Sequence, residues 1–577
     1  MMSSLYEVLN ALVKDETDIR YIGKEKDTVL DKIDDNLKNV FNLIMDVCSM
    51  HPSGTKGTDV FVPFLILDGK RSFAMEDLSN NDIDTLKNLD LDKFPLVIRA
   101  RLEDVFWCFK TENYHFFGQQ AVIDYINLFN VSFNANHWVQ CVAAIERGTD
   151  IAARLGKNSE VYLECIQQVC DKLKSLDGKD TSYCSIKLIS LLVDQDYFNT
   201  NFILEMLGKT IANTTNIRKL ETAYQLKIQV LRANKESVEE CQLELANHYI
   251  EYTDEIKSLD NVYMTETYLI KAIKIYEQLK KHEKKKKAVF KLYEIQKKKI
   301  DNLHYFDFEF DCIDISHYLK KKFDGLSIEE SIIELAALIE FFTLDDLEKT
   351  VLEKSAENVF SSMAIEEIVD ADGHIITKIP PLDIHNPTSL KLHMLREANQ
   401  REDIEGYFFK DGVNLVRDKF GLDDNCLDFL FEDNWIIPEG RENIIKAGLL
   451  YGLNGEMYNA LHILAPQAEH IFRTIAKQVG AITDIIDDKG LFKEKALYSV
   501  FNLPELRDCY NNDRLFLFQG LLNEPAGANI RNRIAHGIMT EEEANQGVPY
   551  YFIGALLKLI ILASPNALTI LIAKKEG

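Results

Sequence analysis

Between residues 138 and about 310 the chain consists of apolar-periodic segments, each about long enough for one helix. NHWVQCVAAIERGTDIAARLG, SEVYLECIQQVCDKL, CSIKLISLLV and TETYLIKAIKIYEQL follow one another with short polar connections. Their apolar residues recur three and four places apart, which gathers them on one side of a helix. A helix with one apolar side has to bury it against a neighbour. The run therefore predicts stacked helix pairs resembling a helical-repeat solenoid, although no strict period joins them.

The flanking regions read the same way. From Asp27 to Met50, Leu30, Ile33, Leu37, Val40, Phe41, Ile44 and Met45 are spaced for one helix, which Pro52 and Gly54 stop. The piece from Asp59 to Asp68, interrupted by Pro63, is open between a short strand and irregular core. Helical spacing resumes from Leu96 to Trp138 and again over 325–361. From Ala364 to Ile379 the period changes to two, with arms flanking Asp370-Ala371-Asp372-Gly373, the pattern of a β-hairpin. No twelve-residue loop with a closing Glu follows this acidic turn, so calcium is not expected there. Pro380, Pro381 and Pro387 mark a bend, and helices continue from about residue 400. The expected fold is mainly α: an N-terminal helical segment 1–137, a solenoid-like region 138–325, connecting helices and hairpin 326–400, and a C-terminal helical bundle 401–577.

Composition narrows the function classes. A chain of 577 residues that is 46% hydrophobic builds more than one core. Its net charge of −26 repels polyanions, so any nucleic-acid site has to be local. Twelve lysines between Lys271 and Lys299, including Lys284 to Lys287, read as a solvated helix face or as an RNA-backbone contact. The N-terminus lacks the pattern of a secretory signal. The apolar stretch Tyr550 to Ile572 approaches the length of a membrane span, but Lys558 and Pro565 favour a buried terminal helix. Ten cysteines without C-x-x-C pairing or zinc spacing read as reduced core thiols and point to the cytoplasm. No membrane contact, metal or cofactor is expected.

One constellation carries chemistry: Arg531-Asn532-x-x-x-His536, followed by Gly537. On a helix Asn532 and His536 share a face, and the long Arg531 side chain reaches over from about 100° away. Gly537 suits the helix C-terminus, leaving His536 beside carbonyl ends that favour a protonated ring. A histidine can take a proton from a ribose 2′-OH or give one to a leaving 5′-oxygen. A guanidinium can grip the scissile phosphate and offset its growing charge. Asn532 would orient either group. This route uses no divalent ion and leaves a 2′,3′-cyclic phosphate. Among 577 residues with 13 His, Arg followed five places later by His arises by chance about 0.4 times, so context decides.

That context is a resemblance. Arg-Asn-x-x-x-His near the end of a small C-terminal bundle resembles the HEPN (higher eukaryotes and prokaryotes nucleotide-binding) domain, marked by Arg, a polar residue and a later His. IPEGRENIIKAGLLYGLNG, ALHILAPQAEHIFRTIAKQVG and NIRNRIAHGIM, with IRARLEDVFW and ERGTDIAARLG nearer the N-terminus, are similar to a bacterial family of uncharacterised proteins ending in such a domain. The resemblance implies an endoribonuclease of a toxin or anti-phage defence system. Arg531 and His536 would be catalytic, Asn532 their polar neighbour, and Glu469 and Arg473 supporting residues lining the cleft. It also implies RNA as substrate, a homodimer through the C-terminal domain, and a protein trigger or antitoxin bound by the N-terminal helical region.

The structural alternative is that Arg531 pairs with Glu469 to pin two helices while His536 caps a helix end. The chain would then be a non-catalytic scaffold, or a binder of RNA or nucleotide. Other motifs are absent: His51 to Gly57 lacks the P-loop order, and neither G-x-S-x-G nor H-E-x-x-H occurs.

Overall fold

The computed structural model describes residues 2–13, 33–53, 61–67, 70–131, 138–197, 199–256, 262–300, 313–358, 363–370 and 372–576. The chain is mainly helical, and its packing gathers it into two compact units, Met1–Ile295 and Gln296–Gly577. Within the first expected helix, residues 27–32 lie outside the described residues, as do Cys312 and Ala371 of the hairpin turn.

The N-terminal unit opens with α1 (Met2–Leu12), α2 (Asp35–Ser49) and α3 (Asn80–Lys87). It continues with α4 (Leu96–Cys108), α5 (Tyr114–Val131), α6 (Trp138–Leu155), α7 (Glu160–Leu176), α8 (Cys184–Asp194) and α9 (Thr200–Ala212). The last helices are α10 (Ile217–Ala233), α11 (Glu239–Glu255), α12 (Val262–Gln278) and α13 (His282–Ile300), the last crossing the division between units. From α4 to α12 each helix packs against the next in sequence. Ser159, Asn199 and Asn216 start α7, α9 and α10 by accepting hydrogen bonds from first-turn backbone N–H groups. Of the segment Asp59 to Asp68, Asp59, Val60 and Asp68 lie outside the described residues, and the rest contributes to two small antiparallel pairs. In these β1 (His51–Pro52) faces β2 (Phe61–Val62), and β3 (Ile66–Leu67) faces β4 (Lys70–Arg71). On α13, Lys284, Lys286 and Lys287 are exposed, while Lys285 pairs with Glu277 and Lys291 with Asp254.

The C-terminal unit contains α14 (Ile313–Lys322), α15 (Ile328–Ala337), α16 (Leu344–Glu357) and a hairpin of β5 (Glu366–Val369) and β6 (Ile375–Ile379). Asp370 uses its carboxylate on its own turn, accepting from the N–H groups of Asp372 and His374. Next come α17 (Pro387–Phe420), α18 (Glu442–Leu453), α19 (Met457–Gln478) and a second hairpin, β7 (Asp484–Ile486) with β8 (Phe492–Glu494). The chain closes with α20 (Leu497–Phe501), α21 (Pro504–Cys509), α22 (Asn512–Leu522), α23 (Ile530–Ala535), α24 (Glu541–Ala544), α25 (Gly547–Ala563) and α26 (Pro565–Glu576).

The 34-residue α17 runs straight through position 400, where the sequence had placed a division. Pro387 occupies its first position, where a missing N–H costs no intrahelical bond, and Asn386 caps it by accepting from the Thr388 and Ser389 N–H groups. α17 crosses α25 at bare backbone: a Cβ on Gly406 would sit 1.7 Å from the Gly547 carbonyl oxygen. Any other residue there would force the helices apart.

Among the described residues, no single helix is long and apolar enough to cross a membrane. α25 and α26 together meet the length, but they bend by 84° at their junction. α25 is apolar all round because α15, α17, α18 and α19 all pack against it, leaving Tyr551, Phe552, Leu556 and Ile560 fully buried. Eight of the nine described cysteines are buried free thiols, and Cys509 is the exposed exception to a core reading.

Two carboxyl groups on α17 report on the density of this core. Burial raises Glu402 to about 8, with Glu405 adding repulsion, and burial raises Glu405 to about 7. A carboxyl raised above its ordinary 4.5 favours the fold in its neutral form, fully below that value. That contribution is lost as pH climbs through 7 to 8. Glu402→Gln is therefore expected to unfold at a higher temperature than wild type at about pH 9 and to flatten the decline between about pH 5 and 9. Thermal melts across that range check it, and an unchanged slope would contradict it.

Candidate functional site

α23 is the short helix that carries the motif, and three neighbours set its position. The N–H of Asn529, a residue in the left-handed region (φ 51°), donates to the Gly520 carbonyl on α22. Ile530 and Ile534 anchor the buried side of α23. Arg533 donates to Glu543, the residue that closes the capping box of α24. The last turn reaches His536, whose N–H donates to the Asn532 carbonyl at 3.0 Å, and Gly537 ends it with φ 67°.

The side chains of Glu469, Arg473 and Arg531 form one network. Glu469 and Arg473 lie one turn apart on α19, and the Glu469 carboxylate is shared between two guanidiniums. Its Oε1 accepts from Arg473 Nη2 at 2.6 Å, and its Oε2 accepts from Arg531 Nε at 2.7 Å. Arg473, with a side chain only 7% exposed, also donates to Glu494 at 2.9 Å and to the Lys495 carbonyl. Arg531 donates its Nη1 to Asn532 Oδ1 at 3.0 Å, and Asn532 in turn donates to Asn529 Oδ1 at 2.7 Å. The Arg531 side chain is 36% exposed, and its Nη2 is not used among these bonds.

Arg531 and Asn532 line a cleft of about 450 Å³ together with Tyr498, Asn523 and Glu524. Tyr498 is exposed, and Asn523 presents a buried Oδ1 with no hydrogen-bond partner. Glu524 is held by Lys391 at 2.6 Å. His536 is exposed at the end of α23 and is not part of this cleft. Five helical steps of about 100° place its direction roughly 140° from that of Arg531. One copy of the chain therefore brings Arg531, Asn532, Glu469 and Arg473 together and leaves His536 apart on the surface.

The Arg531–Glu469 pair foreseen as a structural pin is present, so the guanidinium ties α23 to α19 whatever else it does. Sequence reasoning missed Glu494, Asn523, Asn529 and Tyr498. Asn523 and Asn529 stand close to the motif, in the turn before α23, and Glu494 is recognisable only once the hairpin after α19 is known. Among the described residues no three His, Cys, Asp or Glu side chains are grouped to hold a metal ion.

Comparison with known proteins reaches only the other end of the chain. A family model described as a domain of unknown function (DUF7380) matches residues 14–164, and does not extend to α19 or α23. No curated protein and no solved structure matches the chain.

The network assigns unequal energetic weights. Glu469→Ala leaves the buried Arg473 with Glu494 as its remaining carboxylate and breaks the tie to Arg531, and is expected to destabilise the fold by about 2 kcal/mol. Arg531→Ala, at a half-open position, is expected to cost about 1 kcal/mol or less. Urea unfolding of both variants measures this. Equal losses would show that Arg531 is as much a structural member as Glu469.

Proposed function

We propose that the C-terminal unit is a metal-independent endoribonuclease of the HEPN kind, acting in the cytoplasm as the effector of a bacterial toxin or anti-phage defence system. The observation that carries this reading is the state of Arg531. Glu469 and Asn532 hold two of its nitrogens, Nη2 enters neither bond, and the half-exposed side chain lines a cleft that could admit an RNA phosphate. Tyr498 offers an exposed ring for base stacking.

The chemistry follows from these groups. One His536 takes the 2′-OH proton while the 2′-oxygen attacks phosphorus. The P–O5′ bond breaks, and the departing 5′-oxygen needs a proton from a second acid. Arg531 offsets charge on the non-bridging oxygens. Each copy supplies one such histidine, and it points away from its own Arg531. A two-fold homodimer through the C-terminal domain supplies the second imidazole and brings both motifs to one RNA strand. Exposed Ile485, Ile486, Leu491 and Phe492 on the β7–β8 hairpin give that domain apolar surface suited to assembly. The N-terminal helical region would, on the same resemblance, bind a protein trigger or antitoxin.

The second reading, a non-catalytic helical scaffold or RNA binder, is favoured by the Arg531–Glu469 pair, which explains the arginine without chemistry. Incubation of the purified chain with total RNA in EDTA separates the two. Wild type is expected to degrade the RNA, and His536→Ala to leave it intact by a factor of at least about 100 in rate. Equal degradation by both proteins removes His536 from the chemistry, and no cleavage by either, with activating partners present too, favours the scaffold.

A further inference from the structure

The N-terminal unit holds a pocket of about 420 Å³ among α2, α4, α5 and α6, within the usual range for small-molecule sites. Its walls are mostly apolar, built from Met45, Val97, Leu128, Val139 and Ala144 among others. Among the described residues its charged lining is basic, Arg101 and Arg147 together with His51, in a chain carrying −26. The whole lining lies within the matched residues 14–164, apart from any part of the ribonuclease reading.

The two arginines are not equally satisfied. Arg147 is matched to the fully buried carboxylate of Asp104 by two hydrogen bonds of 2.7 and 2.8 Å, and Tyr125 adds a third to that carboxylate. Arg101 is 9% exposed and, among the described residues, donates only to the Met50 carbonyl, at 2.8 Å. Its Nε is buried with no hydrogen-bond partner, and it has no ion pair among the described residues. The Phe61 ring lies 4.6 Å from its guanidinium carbon and shields it further from water. One carboxylate thus faces two guanidiniums. A buried guanidinium with an unused edge is costly unless an anion meets it.

We propose that this pocket binds a small organic anion, a carboxylate or phosphate carried on an apolar body, with Arg101 as its anchor. The planar fork of arginine suits either head group by paired hydrogen bonds. The apolar walls take the body of the ligand. A neutral molecule of the same shape leaves the Arg101 edge unmet and binds more weakly.

The test uses the full chain and the fluorescent anion 1-anilinonaphthalene-8-sulfonate as probe, displaced by decanoate, decyl phosphate or decanol. Saturable binding is expected, with decanoate or decyl phosphate displacing the probe at least about tenfold better than decanol. Whichever anion competes better identifies the head group. Arg101→Met is expected to weaken anion binding about tenfold or more without lowering the unfolding temperature. Ala144→Phe, which fills the pocket from α6 and leaves Arg101 in place, is expected to abolish it, and serves if Arg101→Met does not fold. Competition by decanol equal to that by both anions, probe binding that survives the substitutions, or no saturable binding overturns the proposal.

Discussion

The Glu469 carboxylate holds two guanidiniums at once, Arg473 on its own helix and Arg531 on α23. One negative charge is shared by two positive ones, and Glu494 supplies the second carboxylate that lets Arg473 stay buried. The consequence is directional. Arg473 is consumed in holding Glu469 still, while the half-exposed Arg531 lines the open cleft with one nitrogen outside these bonds. In the proposed function such a partly fixed guanidinium would meet a phosphate with little side-chain freedom left to lose on binding. The same pair also secures α23 to α19, so anchoring and readiness come from one contact.

That contact depends on a tightly built unit. The close crossing of α17 and α25 at Gly406 and Gly547 fixes the long helices against which α19 and α22 pack. The raised Glu402 and Glu405 are the chemical sign of that density, since burial penalises their ionised forms. The N-terminal unit shows a different balance, with α4 buried along nearly its whole length, charged residues included. Its polar interior is satisfied around Asp104 and left open at Arg101.

Much of the helical architecture was legible because apolar spacing and caps act locally. Ser159, Asn216 and Thr540 start helices by contacts within three residues, and Asp370 with Gly373 shapes its own hairpin turn. Glu469 with Arg473 was visible as a helical i, i+4 pair, and Gly537 as the end of α23. What stayed hidden depends on contacts distant in sequence. The continuity of α17 through residue 400 was obscured by prolines that turn out to precede or begin the helix. Arg101 reads as one charge on a helix until Met50 and Phe61 close over it. The separation of His536 from the Arg531 cleft is a property of the short helix in place, and it is why the proposed chemistry calls for a second copy.

In the proposed function Arg531 and His536 act together on a ribose-phosphate linkage through its 2′-oxygen. The most direct measurement is cleavage of a defined oligoribonucleotide beside the same molecule carrying a single 2′-deoxy substitution at the cut position, with the ends identified by mass spectrometry. The account predicts that the ribose strand yields a 2′,3′-cyclic phosphate and a 5′-hydroxyl, while the substituted linkage stays whole. Cleavage of the deoxy linkage at the same rate, or ends bearing a 5′-phosphate, would contradict it.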